Sequence, residues 1–515
     1  MKGITMNVND SITRKKLHEN VTNRQLSSQW EAIDWCQAEQ SVNRIQIRIT
    51  KAVIAGKHNL VKRLQHLLTN SFYAKALSVK RVTTNKGKNT PGIDGVTWVQ
   101  PFEKMQAVNR LSIRNYKTKP LRRVYIEKYG KAEKRPLSIP VMHDRAMQAL
   151  HLLALDPIAE TTAENVSFGF RKYRSTQDAM SHIFNIMAKK SSGSWVLEGD
   201  IKGCFDNIQH QWLMENIPMN KNILNKFLKA GYVFNKELFP TDLGAPQGGT
   251  ISPTLANMTL DGIERLIAEK YWMNSKGKID KKHKNHKKIN LIRFADDFIV
   301  TATDKETLVD IKSIIENFLL QRGLQLSQEK TLITHISDGF DFLGWNFRKR
   351  KIKLIITPSA KSVNKIIESI SKTIKSNKTV KQKELIRMLN QRIKGWCNYH
   401  QPVCAKETFK YLNHILWNIL WKWCKRRHPN KGKKWIVKKY WKTVGTRQWV
   451  FMQENSRLFN AGDTPIVRHI ALKLDKNPYL DSEYFEARKL KQRRKKSVAY
   501  LQTTAAHIFM GLPNA

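Results

Sequence analysis

The stretch LIRFADDFIV, residues 291–300, sets Asp296 and Asp297 side by side between two apolar runs. Leu291, Ile292, Phe294, Phe298, Ile299 and Val300 are strand formers, so an antiparallel hairpin is expected with Ala295, Asp296 and Asp297 at its turn. The turn lacks the Asn-Gly or Asp-Gly pair that suits a tight loop. Aspartate satisfies turn backbone, so a solvated turn is one reading. A second acidic segment offers another. In SWVLEGDIKGCFDNIQH, residues 194–210, Trp195 to Leu197 is strand-like, Asp200 stands where that strand should end, and Gly203 permits a turn. Three acids converging in one domain would repel one another without cations. Hard oxygen ligands suit Mg2+, and two ions about 3.5–4 Å apart can activate a 3′-hydroxyl and stabilise leaving pyrophosphate.

Charge points to the same chemistry. The 515 residues carry 91 Lys and Arg against 42 Asp and Glu, a formal net charge of +49, and such self-repulsion calls for a polyanionic partner. Nucleic acid is that partner. The N-terminus MKGITMNVND has no apolar signal core, and no run reaches the roughly 20 apolar residues that a bilayer requires, so an intracellular protein without membrane association is expected. Cys36, Cys204, Cys397, Cys404 and Cys424 include no CxxC pair, so they read as reduced packing residues. His283 and His286 lie in KKHKNHKK, a basic loop that opposes cation binding.

A chain of this length divides into several domains. Helical spacing runs from Trp30 to about Lys80, with Leu60, Leu64, Leu67 and Leu68 on one face. Strand-like runs alternate with helices between about 115 and 345. From Thr357 three apolar stripes follow: Val363, Ile366, Ile367, Ile370 and Ile374; Leu385, Ile386, Leu389, Ile393 and Trp396; Phe409, Leu412, Ile415, Leu416 and Ile419. They predict a three-helix bundle. Ser252 and Pro253 predict a helix start, with the helix running through Leu255, Met258 and Ile263. The charge run ARKLKQRRKKSVAY reads as a flexible arm touching nucleic acid.

The ordered blocks TPGIDG (90–95), KRPLSIP (134–140), SFGFRKYRS (167–175), DIKGCFDNI (200–208), APQGGTISPTLAN (245–257), FADD (294–297), GLQLSQEKT (323–331) and GFDFLGW (339–345) resemble those of group II intron-encoded reverse transcriptases and maturases. The resemblance covers nearly the whole chain. It implies an α+β, right-hand polymerase fold: an N-terminal helical extension at 1–80, fingers and palm at 81–356, an α-helical thumb or maturase domain X at 357–445, and a basic DNA-binding region at 446–515.

The resemblance also implies roles. Asp200, Asp296 and Asp297 match the metal-binding triad, and Ile201 would lend a backbone carbonyl to one of two Mg2+ ions. Phe205 matches the aromatic residue that excludes a ribose 2′-hydroxyl; core packing is its other reading. Gln247 would lie against the incoming dNTP, Lys128 and Arg135 would hold its triphosphate, and Lys330 would serve as general acid for pyrophosphate or as a basic surface residue. Arg171, Arg174, Arg426, Arg427, Lys433 and Lys434 are read as contacts to nucleic acid. Phe294 stands where many relatives carry tyrosine.

The implied activity is RNA-directed DNA synthesis, with binding and splicing of the protein's own group II intron RNA, and copying of that RNA at a DNA target during retrohoming. The partners would be intron RNA, an RNA template with a DNA primer, and target DNA. The place of action would be the cytoplasm, and the nucleoid when target DNA is bound. Two rivals stay open: a splicing-only maturase, and a reverse transcriptase recruited to another task such as defence. Many relatives continue into an HNH endonuclease with paired CxxC motifs; this sequence has neither, and strand cleavage is not expected. Oligomeric state is left open.

Overall fold

A computed structural model describes residues 21–127, 130 and 134–509. After a helical stretch at residues 21–31 come three helices: α1 (Trp35–Ile54), capped by the Asp34 side chain, α2 (His58–Asn70) and α3 (Phe72–Thr84). Leu64 and Leu68 are buried as their spacing predicts, whereas Leu67 faces outward. Next, β1 (Leu121–Glu127) and β2 (Lys134–Ile139) pair antiparallel. The long α4 (Met142–Thr162) then packs against α1, α2 and α3. Helix α5 (Thr176–Met187) follows, its start closed by Ser175 and Asp178 capping each other.

The palm is a four-stranded sheet. Its members are β3 (Trp195–Asp200), β6 (Asn290–Phe294), β7 (Asp297–Ala302) and β8 (Leu332–His335), in the order β6-β7-β3-β8. Between β3 and β6, the short strands β4 (Tyr232–Phe234) and β5 (Glu237–Phe239) join the β1–β2 pair to form the fingers sheet. Alternation divides the palm between two cores. Leu197, Leu291, Phe298 and Val300 face the core shared with the N-terminal helices, and Val196, Ile292 and Ile299 face the other, shared with the C-terminal helices. A sheet covered on both faces has its register fixed, because a one-residue slip would move each apolar set to the wrong side.

Helix α6 (Ser252–Leu260) starts near the expected position but stops short of Ile263. The chain breaks at Asp261 and Gly262, where Gly262 has φ +117°, and a new helix begins at Ile263. Ser252 is already inside α6 rather than capping it, and its hydroxyl donates to the Pro246 carbonyl. Helix α7 (Lys305–Leu320) crosses one palm face.

A small sheet of β9 (Phe340–Phe342), β10 (Trp345–Arg350) and β11 (Lys353–Pro358) leads into the expected bundle: α8 (Ala360–Ser376), α9 (Gln382–His400) and α10 (Lys406–Arg427). Most of the three stripes is buried; Ile367, Trp396, Ile415 and Ile419 are half-buried. Helix α11 (Lys433–Tyr440) is followed by β12 (Trp441–Val444), β13 (Arg447–Gln453) and β14 (Ser456–Arg457). Because β12 and β13 pair, the expected division between 445 and 446 falls in a hairpin turn.

The charge run is not a free arm. It lies in α12 (Ser482–Phe509), whose Ala, Arg, Lys, Leu and Gln are strong helix formers. Arg488 and His469 both bond the carboxylate of Asp178, tying this region to the start of α5. All five cysteines are free; Cys36 and Cys404 are exposed, so the packing role holds only for the other three. Among the described residues, no helix is long and apolar enough to cross a membrane.

Candidate active site

The β6–β7 hairpin differs in detail from its expected form. Phe294 pairs with Asp297, so only Ala295 and Asp296 form the turn and Asp297 is the first residue of β7. Ala295 adopts φ +59°, a conformation that suits glycine and strains alanine. The turn is held from beneath. Gly169 lies so close that a Cβ there would meet the Ala295 nitrogen at 2.4 Å, and Asn257 donates to the Gly169 carbonyl.

Asp200 ends β3 and pairs directly with Asp297, which brings the three acids to one end of the palm sheet. Burial, then Asp296 and Asp200, push the Asp297 carboxyl up to about 7. Burial and Asp200 also raise Asp296, opposed by the positive charge of Arg135 and Lys330. Lys330 donates to Asp200, so an ammonium neutralises part of the cluster. Among the described residues, no three such side chains are already gathered as metal ligands. Mutual repulsion of crowded carboxylates adds to the upward push on Asp296 and Asp297. Their hard oxygens, and the repulsion that a bound cation would relieve, fit divalent cations.

Ile201 adds a backbone group. Its bridge to Leu326 is closed by flanking bonds, Lys202 N–H to the Gln325 carbonyl and Ser327 N–H to the Asp200 carbonyl, and neither uses the Ile201 carbonyl. Gly203, at φ +56°, turns the chain into the short helix Cys204–Asn207. That helix presents Phe205, which is half-buried and meets Phe170 edge to face at 6.3 Å. The glutamine loop docks alongside. Ala245 N–H donates to the Phe205 carbonyl at 2.7 Å, Ser138 N–H to the Gln247 carbonyl at 2.7 Å, and Gln247 Nε2 to Asp206 at 3.1 Å. Gly244 is required here, since a Cβ would meet the Phe205 carbonyl oxygen at 2.6 Å. Arg135, at the exposed start of β2, is near enough to lower the Asp296 carboxyl. Lys128 lies outside the described residues.

Two expected nucleic-acid contacts turn inward. Arg171 pairs with Glu160 and donates to the carbonyls of Glu164 and Ser167, leaving its side chain 5% exposed. Arg174 is 2% exposed and bonds the carbonyls of Asn165, Ser167 and Leu474. They brace the SFGFRKYRS loop, because a guanidinium's fan of donors satisfies several buried carbonyls at once. Arg427 also bonds inward, to the carbonyls of Lys378 and Val380, while Arg426, Lys433 and Lys434 are exposed.

Arg293 went unnoticed in the sequence. Fully buried within β6, it bonds Asn257 and Asp261 and reaches the Ala295 carbonyl at 3.5 Å, bracing the acidic turn. Beside it, Glu164 accepts the N–H groups of Gly262 and Glu264. Burial raises the Glu164 carboxyl to about 7 despite Arg293. A charged residue between Ile292 and Phe294, in a strand covered on both sides, was the available signal.

Comparison with known proteins agrees with this architecture. Residues 126–347 match the family described as reverse transcriptase (RNA-dependent DNA polymerase), residues 30–111 its N-terminal domain, and residues 363–441 the group II intron maturase-specific domain. The group II intron-encoded protein LtrA of Lactococcus lactis subsp. cremoris is 28% identical over 437 residues, covering 68% of this chain and 72% of that protein. Protein YkfC of Escherichia coli K12 is 30% identical over 325 residues, covering 56% and 84%. A putative COX1/OXI3 intron 1 protein of Saccharomyces cerevisiae is 29% identical over 355 residues, covering 59% and 41%.

Proposed function

The chain belongs to the group II intron-encoded reverse transcriptase and maturase family, and we propose that it copies its intron RNA into DNA at the site built on Asp200, Asp296 and Asp297. The observation that carries this is the pairing of Asp200 with Asp297 beside a turn that presents Asp296. The three carboxylates and the Ile201 carbonyl would hold two Mg2+ ions. When bound, such ions activate the primer 3′-hydroxyl and neutralise charge on the departing pyrophosphate.

The remaining roles fall to the chain itself. Lys330, which bonds Asp200, can give a proton to the pyrophosphate. Phe205 closes the space beside the sugar, so a 2′-hydroxyl is excluded. Gln247, steadied by Asp206, packs against the incoming dNTP, and Arg135 pairs with its phosphates, assisted by Lys128. The exposed Arg426, Lys433 and Lys434 contact intron RNA or the template–primer duplex, and the same basic surface supports splicing.

Target DNA would receive the copy during retrohoming, with the protein acting in the cytoplasm and on the nucleoid. A splicing-only role fits poorly with three retained carboxylates. The test is Mg2+-dependent primer extension on an RNA template by the full chain, run beside splicing of the cognate intron; failure of extension with splicing intact would reverse the assignment.

A further inference from the structure

The helices and hairpin at the C-terminal side of the bundle carry a groove that the polymerase site does not use. It is an open cleft of about 570 Å3 between α10, α11 and the β12–β13 hairpin, with Val437 among its lining residues. Its walls are Trp417, Trp421 and Trp449, and its rim is Lys433, Lys434 and Lys438. Trp417 and Trp421, one helical turn apart on α10, stack at 5.6 Å with their planes 8° from parallel. Trp449 closes the opposite side, 6.2 Å from Trp417 at 64°. Trp417 is 36% exposed and Trp449 48%, so both side chains are accessible to a ligand.

A local irregularity aims Trp449. Lys442 pairs with Val450 and Val444 with Arg447, which leaves one extra residue on β13 and makes a bulge. Within it Trp449 adopts φ +58°, a conformation that glycine takes freely and tryptophan does not. Strain of this kind persists where the surroundings enforce it, and it gathers at ligand clamps. The bulge sets this conformation, and it leaves Trp449 48% exposed rather than packed in the core.

We propose that this groove captures an unpaired nucleobase of a bound single strand, the base stacking among Trp417, Trp421 and Trp449 while Lys433, Lys434 and Lys438 pair with the flanking phosphates. No carboxylate lines the groove, and its rim of lysines suits an anionic strand. Stacking on ring faces is indifferent to base identity, so the site would recognise single-strandedness rather than sequence. The inference rests on the nucleic-acid reading above and adds a clamp built from none of the palm residues.

The experiment uses the full-length protein and single strands carrying 5-iodouridine, in RNA and DNA arms, with photo-cross-links mapped by peptide mass spectrometry. Cross-links at Trp417, Trp421 or Trp449 are expected, and the arm giving the higher yield identifies the strand. Two variants on different elements accompany it: Trp449→Gly, which removes the ring and relieves the backbone, and Trp417→Ala. Each should weaken binding of a base-bearing strand by roughly 5- to 150-fold while leaving an abasic strand of equal length bound as before. Equal losses on both strands, or cross-links confined to other sites, would overturn the proposal. Wild-type primer extension is read in parallel, so active polymerase without groove cross-links defeats the groove alone, and inactive wild type defeats the reading beneath it.

Discussion

Lys330 donates a hydrogen bond to Asp200 from 130 residues further along the chain, putting an ammonium where a catalytic cation would bind. The two charges compete for one carboxylate. Lys330→Ala should therefore lower the Mg2+ concentration needed for half-maximal binding. Its proton would also be missing when pyrophosphate leaves, so kcat should fall about 100-fold. Calorimetric Mg2+ titration beside single-turnover extension separates the effects; an unchanged kcat would make Lys330 a counter-ion only.

Phe205 offers a sharper test of the nucleotide site. Phe205→Ala should reduce discrimination against ribonucleotides by about 10- to 200-fold, the range for a steric contact in an apolar pocket. Competition between a dNTP and its rNTP in primer extension measures it. Unchanged selectivity would return Phe205 to core packing.

The palm sheet has a built-in size limit. A Cβ on Gly199 would lie 2.1 Å from the ring of Phe298, directly across β3 and β7. Gly199→Ala should cost about 1–3 kcal/mol, read as a lower Tm, with partial recovery in Gly199→Ala/Phe298→Leu. An unchanged Tm would mean that the two strands part freely beside the acids.

The buried network beneath the turn predicts a pH signature. The Glu164 carboxyl lies near 7 in the fold, against an ordinary 4.5. A raised acid binds its proton more tightly in the native state, so its contribution to stability declines from about pH 4.5 to about pH 7 and is level above. Glu164→Gln keeps an acceptor for the Gly262 and Glu264 N–H groups and should flatten that slope. Denaturant midpoints at several pH values check it; identical slopes in variant and wild type would contradict the assignment.

How much was legible beforehand depended on whether the signal was local. Asp200, Asp296 and Asp297 could be read because each is bounded by strand-forming residues, and the bundle because three stripes kept one spacing. The break after α6 was also legible: Asp261-Gly262 is a turn pair, but the apolar spacing through Ile263 outweighed it. Arg171 and Arg174 were misread because their partners, Glu160 and a set of backbone carbonyls, converge only once α4 and the following loop are folded. The left-handed Ala295 and Trp449 follow from their surroundings rather than from propensity, so no local pattern announced them.

If the palm acids perform polymerisation, splicing is left to the RNA held on the basic surface. Asp296→Ala/Asp297→Ala removes two of the proposed cation ligands together with their mutual repulsion, so the fold should survive. The decisive measurement is primer extension by this variant, paired with splicing of the cognate intron at matched protein concentration. Extension should be abolished while splicing proceeds at or slightly above the wild-type level, since two acidic groups facing RNA phosphate are gone. Near-normal extension would contradict the catalytic assignment, and loss of splicing with the fold intact would show instead that these acids position the RNA.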